Sequence, residues 1–87
     1  MKKYSVNKSF ITQKIGEKKT IFDTENSFLY TLNETATYVF DKLRLGWNEE
    51  KIKEALIKKY DVADKQATKD ILEIIEEFKK KKIISSK

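Results

Sequence analysis

The sequence predicts an α+β fold in which a three-stranded antiparallel sheet is followed by three helices, and three observations lead there. Short apolar segments separated by two brief turns fill the first third of the chain. Beyond residue 33, apolar residues recur at three- and four-residue intervals, the helical period. The segment Phe28 to Leu32 also passes through Asn33 straight into that helical region. Sheet and first helix must therefore share a core.

Residues 1–7 are polar and expected to be loose. Residues 8–15, KSFITQKI, set Phe10, Ile11 and Ile15 among polar neighbours and form the first strand. Gly16 and Glu17 make a turn, residues 19–24 the second strand, and Glu25-Asn26 a tight connection in which Asn tolerates positive φ. Residues 27–32 form the third strand. Its two-residue period puts Phe28, Tyr30 and Leu32 on one face, expected to meet the helices, and Leu29 and Thr31 on the other.

Asn33 is suited to cap the first helix, residues 34–45, because its side chain accepts an amide hydrogen that the first turn leaves unpaired. Ala36, Val39, Phe40 and Leu43 give that helix a buried face, and Gly46 suits the left-handed residue after it. Trp47 is expected to cover the core. Asn48 caps a second helix reaching Tyr60, with Ile52, Ala55, Leu56 and Tyr60 as its buried stripe, and residues 61–63 are a link. Asp64 is expected to cap the third helix, which runs to about residue 81. On its wheel Ala67, Ile71, Ile74, Ile75 and Phe78 form the core stripe. Leu72 falls outside the stripe, on the side of Lys65, Thr68, Lys69, Glu76 and Lys79; Asp70, Glu77 and Lys81 hold the opposite flank. Ile83 and Ile84 are expected to return to the core.

Eighty-seven residues support one domain with a modest core, residues 1–87. The chain has no Cys and no His, so a disulfide framework, a thiolate nucleophile and the usual zinc ligands are excluded. No cofactor or metal is expected. No apolar run nears the ~20 residues of a membrane span, no signal-peptide pattern follows Met1, and the cytoplasm is the expected location. The net charge of +5 comes from the ends: residues 1–24 carry +4, residues 25–78 carry −4 and residues 79–87 carry +5. An acidic middle repels phosphate, and Arg44 is the only arginine, the residue best made for reading guanine. A DNA-binding regulator using residues 48–60 is the main alternative to the reading that follows.

Tyr30, Leu32, Asn33, Ala36, Phe40, Leu43 and Gly46, then an Ile-containing helix, Tyr60-x-Val62, and Asp70-Ile71 in a third helix, resemble the PqqD-like family over residues 8–84. That family provides the recognition elements that hold leader peptides of ribosomally synthesised, post-translationally modified peptide precursors. The resemblance implies a winged helix-turn-helix-like fold and no catalysis. It also implies that the leader adds as a strand beside the third strand and packs against the third helix. Carried onto this sequence, Phe28, Leu29, Tyr30 and Thr31 supply the strand ladder, and Lys65, Thr68, Lys69, Leu72, Ile75, Glu76 and Lys79 the opposing wall. The lysines would favour acidic leader residues. Implied partners are the precursor leader and a leader peptidase, cyclase or radical SAM maturase, with no nucleic acid. Residues 19–27 lack the Pro-Glu-Gly of the subgroup serving pyrroloquinoline quinone synthesis, and the short chain is more similar to lasso-peptide recognition proteins. Whether two copies associate through the free strand edge is left open by the sequence.

Overall fold

The structure, a computed structural model, describes residues 4–86. Its elements follow in the order β1 (Tyr4–Val6), β2 (Phe10–Ile15), β3 (Lys18–Asp23), β4 (Phe28–Leu32), α1 (Glu34–Arg44), α2 (Glu49–Tyr60), α3 (Asp64–Lys80) and β5 (Ile84–Ser86). The α+β arrangement read from the sequence is present: β2, β3 and β4 form an antiparallel sheet in that order, and three helices follow. A second, two-stranded sheet pairs β1 with β5 in antiparallel register, Tyr4 opposite Ser86 and Val6 opposite Ile84. That ribbon corrects the expectation for residues 1–7. Residues 4–6 are a strand, Tyr4 is buried, and its hydroxyl donates to Glu49 Oε1. Burial first, and the Glu49 carboxylate second, push the Tyr4 hydroxyl up to about 12. It is therefore a neutral donor at any physiological pH. Residues 1–3 lie outside the described residues.

Turn chemistry fixes where β4 begins. Gly16, at φ +63°, reverses the chain between Ile15 and Lys18, which face each other across β2 and β3. The next connection is longer than two residues: Asp23 pairs with Phe28, and the left-handed residue is Ser27 at φ +59°, not Asn26. Asp23 organises this loop. Its buried carboxylate accepts from the amides of Glu25 (3.0 Å) and Asn26 (3.2 Å) and from Asn26 Nδ2 (2.9 Å). The Asn26 side-chain bond above all holds that carboxyl below its usual range.

Helix ends follow the sequence with one exception. Asn33 Oδ1 accepts from the Ala36 amide at 2.8 Å and Asn48 Oδ1 from the Lys51 amide at 2.9 Å. At the far end of α1, the Trp47 amide donates to the Lys42 carbonyl (3.1 Å) and the Gly46 amide to the Leu43 carbonyl (3.0 Å), with Gly46 at φ +88°. These paired bonds are a Schellman closure. The exception is Asp64, which is the first residue of α3 and not its cap; Ala63 occupies the cap position without a side-chain bond. Asp64 instead faces Lys53 of α2 at 3.6 Å.

The core lies between the inner face of the sheet and the helices. Ile21 and Leu32 meet Val39, Phe40 and Leu43 of α1, Ile52 and Leu56 of α2, and Ile71, Ile75 and Phe78 of α3. Ile83 and Ile84 return to it as expected, and Trp47 packs partly buried against it. The rings of Phe40 and Phe78 meet edge to face at 6.0 Å. A polar brace ties β3 to α1: the Lys19 amide donates to Thr37 Oγ1 at 3.0 Å, and the buried Lys19 ammonium pairs with Asp41.

Candidate functional site

In an antiparallel ladder each strand turns half of its amides and carbonyls to each side, and a strand at the edge leaves one side unpaired. β4 has a single neighbour, β3, so its five residues present such an edge. The inward face of β4 opens progressively toward its start. Leu32 is buried, Tyr30 is half-buried against the core, and Phe28, although on the same face, is 57% exposed. The expectation that all three meet the helices thus holds for Leu32, partly for Tyr30, and fails for Phe28. The rings of Phe28 and Tyr30 lie 6.3 Å apart, an aromatic pair beside the open edge.

The helix flank beside this pair is shown by what touches Tyr30. Lys81 Nζ lies 5.0 Å from the Tyr30 ring centre, and it is also 3.2 Å from Glu77. Ile74, Glu77 and Lys81 stand at three- and four-residue spacing on one side of the α3 axis, and Ile74 is half-buried against the core. Glu77 and Lys81 belong to the flank opposite the wall that the resemblance implies. Leu72, 53% exposed, lines a shallow depression with Thr68 and with Glu49, Glu50 and Lys53 of α2. Lys79 Nζ lies 5.3 Å from the Tyr4 ring and borders a groove with Ser5 and Val6 of β1. Lys65, Lys69 and Glu76 are exposed on that same side. Ile75 is buried in the core and presents nothing to the surface. The structure therefore brings Lys81 to the Phe28–Tyr30 pair, with Glu77 beside Lys81. Thr68 and Leu72 lie beside α2, and Lys79 lies beside β1.

Among the described residues, no group of three or more acidic side chains is placed to hold a metal ion, and no helix is long and apolar enough to cross a membrane. Three of the four α2 lysines that a DNA reader would use, Lys51, Lys53 and Lys59, are engaged within the chain. Lys53 sits 3.1 Å from Glu50, whose hydrogen bond is the main reason that the Lys53 ammonium is held above its usual range. Lys51 Nζ lies 4.3 Å from the Trp47 ring centre, and Lys59 Nζ lies 5.5 Å from that of Tyr60.

Residues 19–84, from the second sheet strand to the return of the chain after α3, match the family described as coenzyme PQQ synthesis protein D (PqqD). The chain belongs to the PqqD family. Two solved structures share its fold. One is TbiB1 in complex with the TbiA(beta) leader peptide, 14% identical, with a TM-score of 0.86 over 92% of this chain and 93% of that one. The other is a lasso peptide synthetase B1 complexed with the leader peptide, 17% identical, with a TM-score of 0.87 over 95% and 98%. Among curated proteins, none matches the sequence. At such identities the likeness establishes the fold of this PqqD-family chain, and its binding chemistry must be argued from its own residues.

Proposed function

We propose that this PqqD-family domain binds the leader peptide of a ribosomally made precursor as a fourth sheet strand, paired to the free edge of β4. The observation that carries this reading is the uncovered edge lying beside exposed Phe28 and half-buried Tyr30, with Lys81 from the end of α3 over the Tyr30 ring. Backbone pairing along residues 28–32 supplies affinity whatever the peptide sequence, and alternate peptide side chains turned toward Tyr30 and Ile74 supply selectivity. Lys81 and Glu77 border the same gap, so displacing the Lys81 ammonium from the Tyr30 ring frees a cation for an acidic peptide residue. Both solved relatives carry leader peptides, which supports the reading. The domain itself performs no chemistry in this scheme. It raises the local concentration of precursor for a cytoplasmic leader peptidase, cyclase or radical SAM maturase.

The test is titration of a fluorescently labelled candidate leader peptide while the backbone amides are followed by NMR. Saturable binding with the largest shifts at residues 28–32 is expected. Proline at Leu29 or Thr31 is expected to abolish binding in a variant whose circular dichroism is unchanged. Full affinity in both folded variants would place the peptide elsewhere. Preference for one DNA duplex over scrambled duplexes at physiological salt would favour the regulator instead.

A further inference from the structure

The two ends of the chain are its basic parts, residues 1–24 carrying +4 and residues 79–87 carrying +5, and the β1–β5 ribbon joins them. Beside that ribbon, a groove of about 410 Å³ lies between β1, the first half of β2 and the end of α1. Val6, Phe10 and Phe40 give it an apolar lining, and its charged side chains are Lys8 and Arg44; among the described residues no acid lines it. Arg44, the only arginine in the chain, is held at the wall. Its guanidinium lies 5.6 Å from the Phe40 ring centre and donates to Thr12 Oγ1 at 3.4 Å. Among the described residues neither Lys8 nor Arg44 is ion-paired, whereas Lys14, Lys19, Lys53 and Lys81 all are. Glu49, which reaches the ribbon, accepts from the Tyr4 hydroxyl and lines no part of the groove. Ser5 and Val6 also border a second groove, with Lys79 and Lys82 and again no acid.

We propose that the groove between β1, β2 and α1 receives an extended acidic segment of a second protein, its carboxylates held by Arg44 and Lys8. The occupant follows from charge and shape. Cations left without partners inside the chain favour carboxylates, and the planar fork of a guanidinium grips a carboxylate through paired hydrogen bonds. The apolar lining between the charges suits a segment whose acidic and apolar residues alternate, the two-residue period of an extended strand. Among the described residues β1 pairs only with β5 and β2 only with β3, so strands on two walls have an edge open to such a segment. A flat bilayer or a duplex would meet the lysines at the rim and leave the apolar lining unfilled. β2 and β4 are opposite edges of one sheet, so occupation of the groove leaves the β4 edge free for an added strand.

The probe is a labelled synthetic peptide alternating glutamate and valine, titrated with the full chain by fluorescence anisotropy beside a lysine–valine counterpart. The acidic peptide should bind saturably, at roughly 10 to 100 μM in low salt, and the basic one should not. Affinity should fall as salt is raised, since the contacts at the groove are between charges. The largest amide shifts in NMR should fall at residues 6–12 and at Arg44. Arg44→Glu and Lys8→Glu, each with unchanged circular dichroism, should each weaken binding at least tenfold, and Arg44→Lys, which keeps the charge and loses the fork, severalfold. No saturable binding below about 1 mM overturns the inference. So does affinity that survives both charge reversals, or a set of shifts centred on residues 28–32, which would place the acidic segment at β4. Tighter binding of phosphatidylglycerol vesicles or of a short DNA duplex than of the peptide, lost in the same two variants, would assign the cations to phosphate and overturn it as well.

Discussion

Two helix ends in this chain solve one problem with different residues. After α1 the left-handed position is Gly46; after α3 the Lys82 amide donates to the Lys79 carbonyl (3.0 Å) and the Ile83 amide to the Phe78 carbonyl (2.9 Å). That is the same closure with Lys82 at φ +58° where glycine would sit without strain. A side chain with a Cβ in this region costs about 1 kcal/mol, retained here because the closure aims Ile83 and Ile84 into the core. Lys82→Gly is therefore expected to stabilise the domain by about 0.5 to 1 kcal/mol, a rise in Tm of about 2 to 8 °C. The converse change is informative because a Cβ added at Gly46 would meet nothing within 4 Å. Gly46→Ala should thus cost about 1 kcal/mol through backbone conformation alone. Thermal melts of the two variants check both signs. Equal and opposite shifts would locate the strain in φ; a Lys82→Gly variant less stable than the parent would show that the lysine side chain contributes more than its backbone costs.

At the scale of the elements, β4 and α3 define the cleft, and their pairing divides what periodicity reveals from what it does not. The wheel of α3 correctly separated Ala67, Ile71, Ile75 and Phe78, all buried, from Leu72, which is exposed. It could not decide which flank meets β4. That choice depends on how α2 and α3 cross and on where β1 returns, information absent from a one-dimensional repeat. Here Thr68 and Leu72 lie beside α2 and Lys79 beside β1, while Lys81 reaches Tyr30 of the strand. Ile74 was legible only as a core residue because its wheel angle lies at the border of the stripe. If the leader lies between β4 and this flank, Ile74→Ala should weaken its binding about fivefold, the loss of roughly 1 kcal/mol of apolar contact. Leu72→Ala should leave affinity within about twofold. Fluorescence titration of both variants decides between flanks, since a loss confined to Leu72→Ala would return the cleft wall to the side first expected.

Over the whole molecule, the three-strand, three-helix order was readable because each junction carries its own signal: Gly16 at a turn, Asn33 and Asn48 as caps, Gly46 at a closure. The β1–β5 ribbon was not, because it joins residues about eighty positions apart and each strand holds only three residues. No local pattern marks a segment whose partner is the other end of the chain. A small domain has little stability to spare, so closing the ends matters more here than in a larger one. Tyr4 concentrates that contribution: its ring is buried among core residues, Lys79 lies over it at 5.3 Å, and its hydroxyl reaches Glu49 at the start of α2. Tyr4→Ala should accordingly cost about 2 to 4 kcal/mol, cavity and lost contact together, whereas a loose tail would lose nothing. Tyr4→Phe keeps the ring and removes the hydroxyl, and should cost about 1 kcal/mol. Denaturant unfolding of the three proteins separates packing from hydrogen bonding, and hydrogen exchange at β5 shows whether the ribbon has opened. If Tyr4→Ala unfolds at the parent's denaturant midpoint, the ends do not close the fold, and β1 contributes nothing to the stability of the core on which β4 rests.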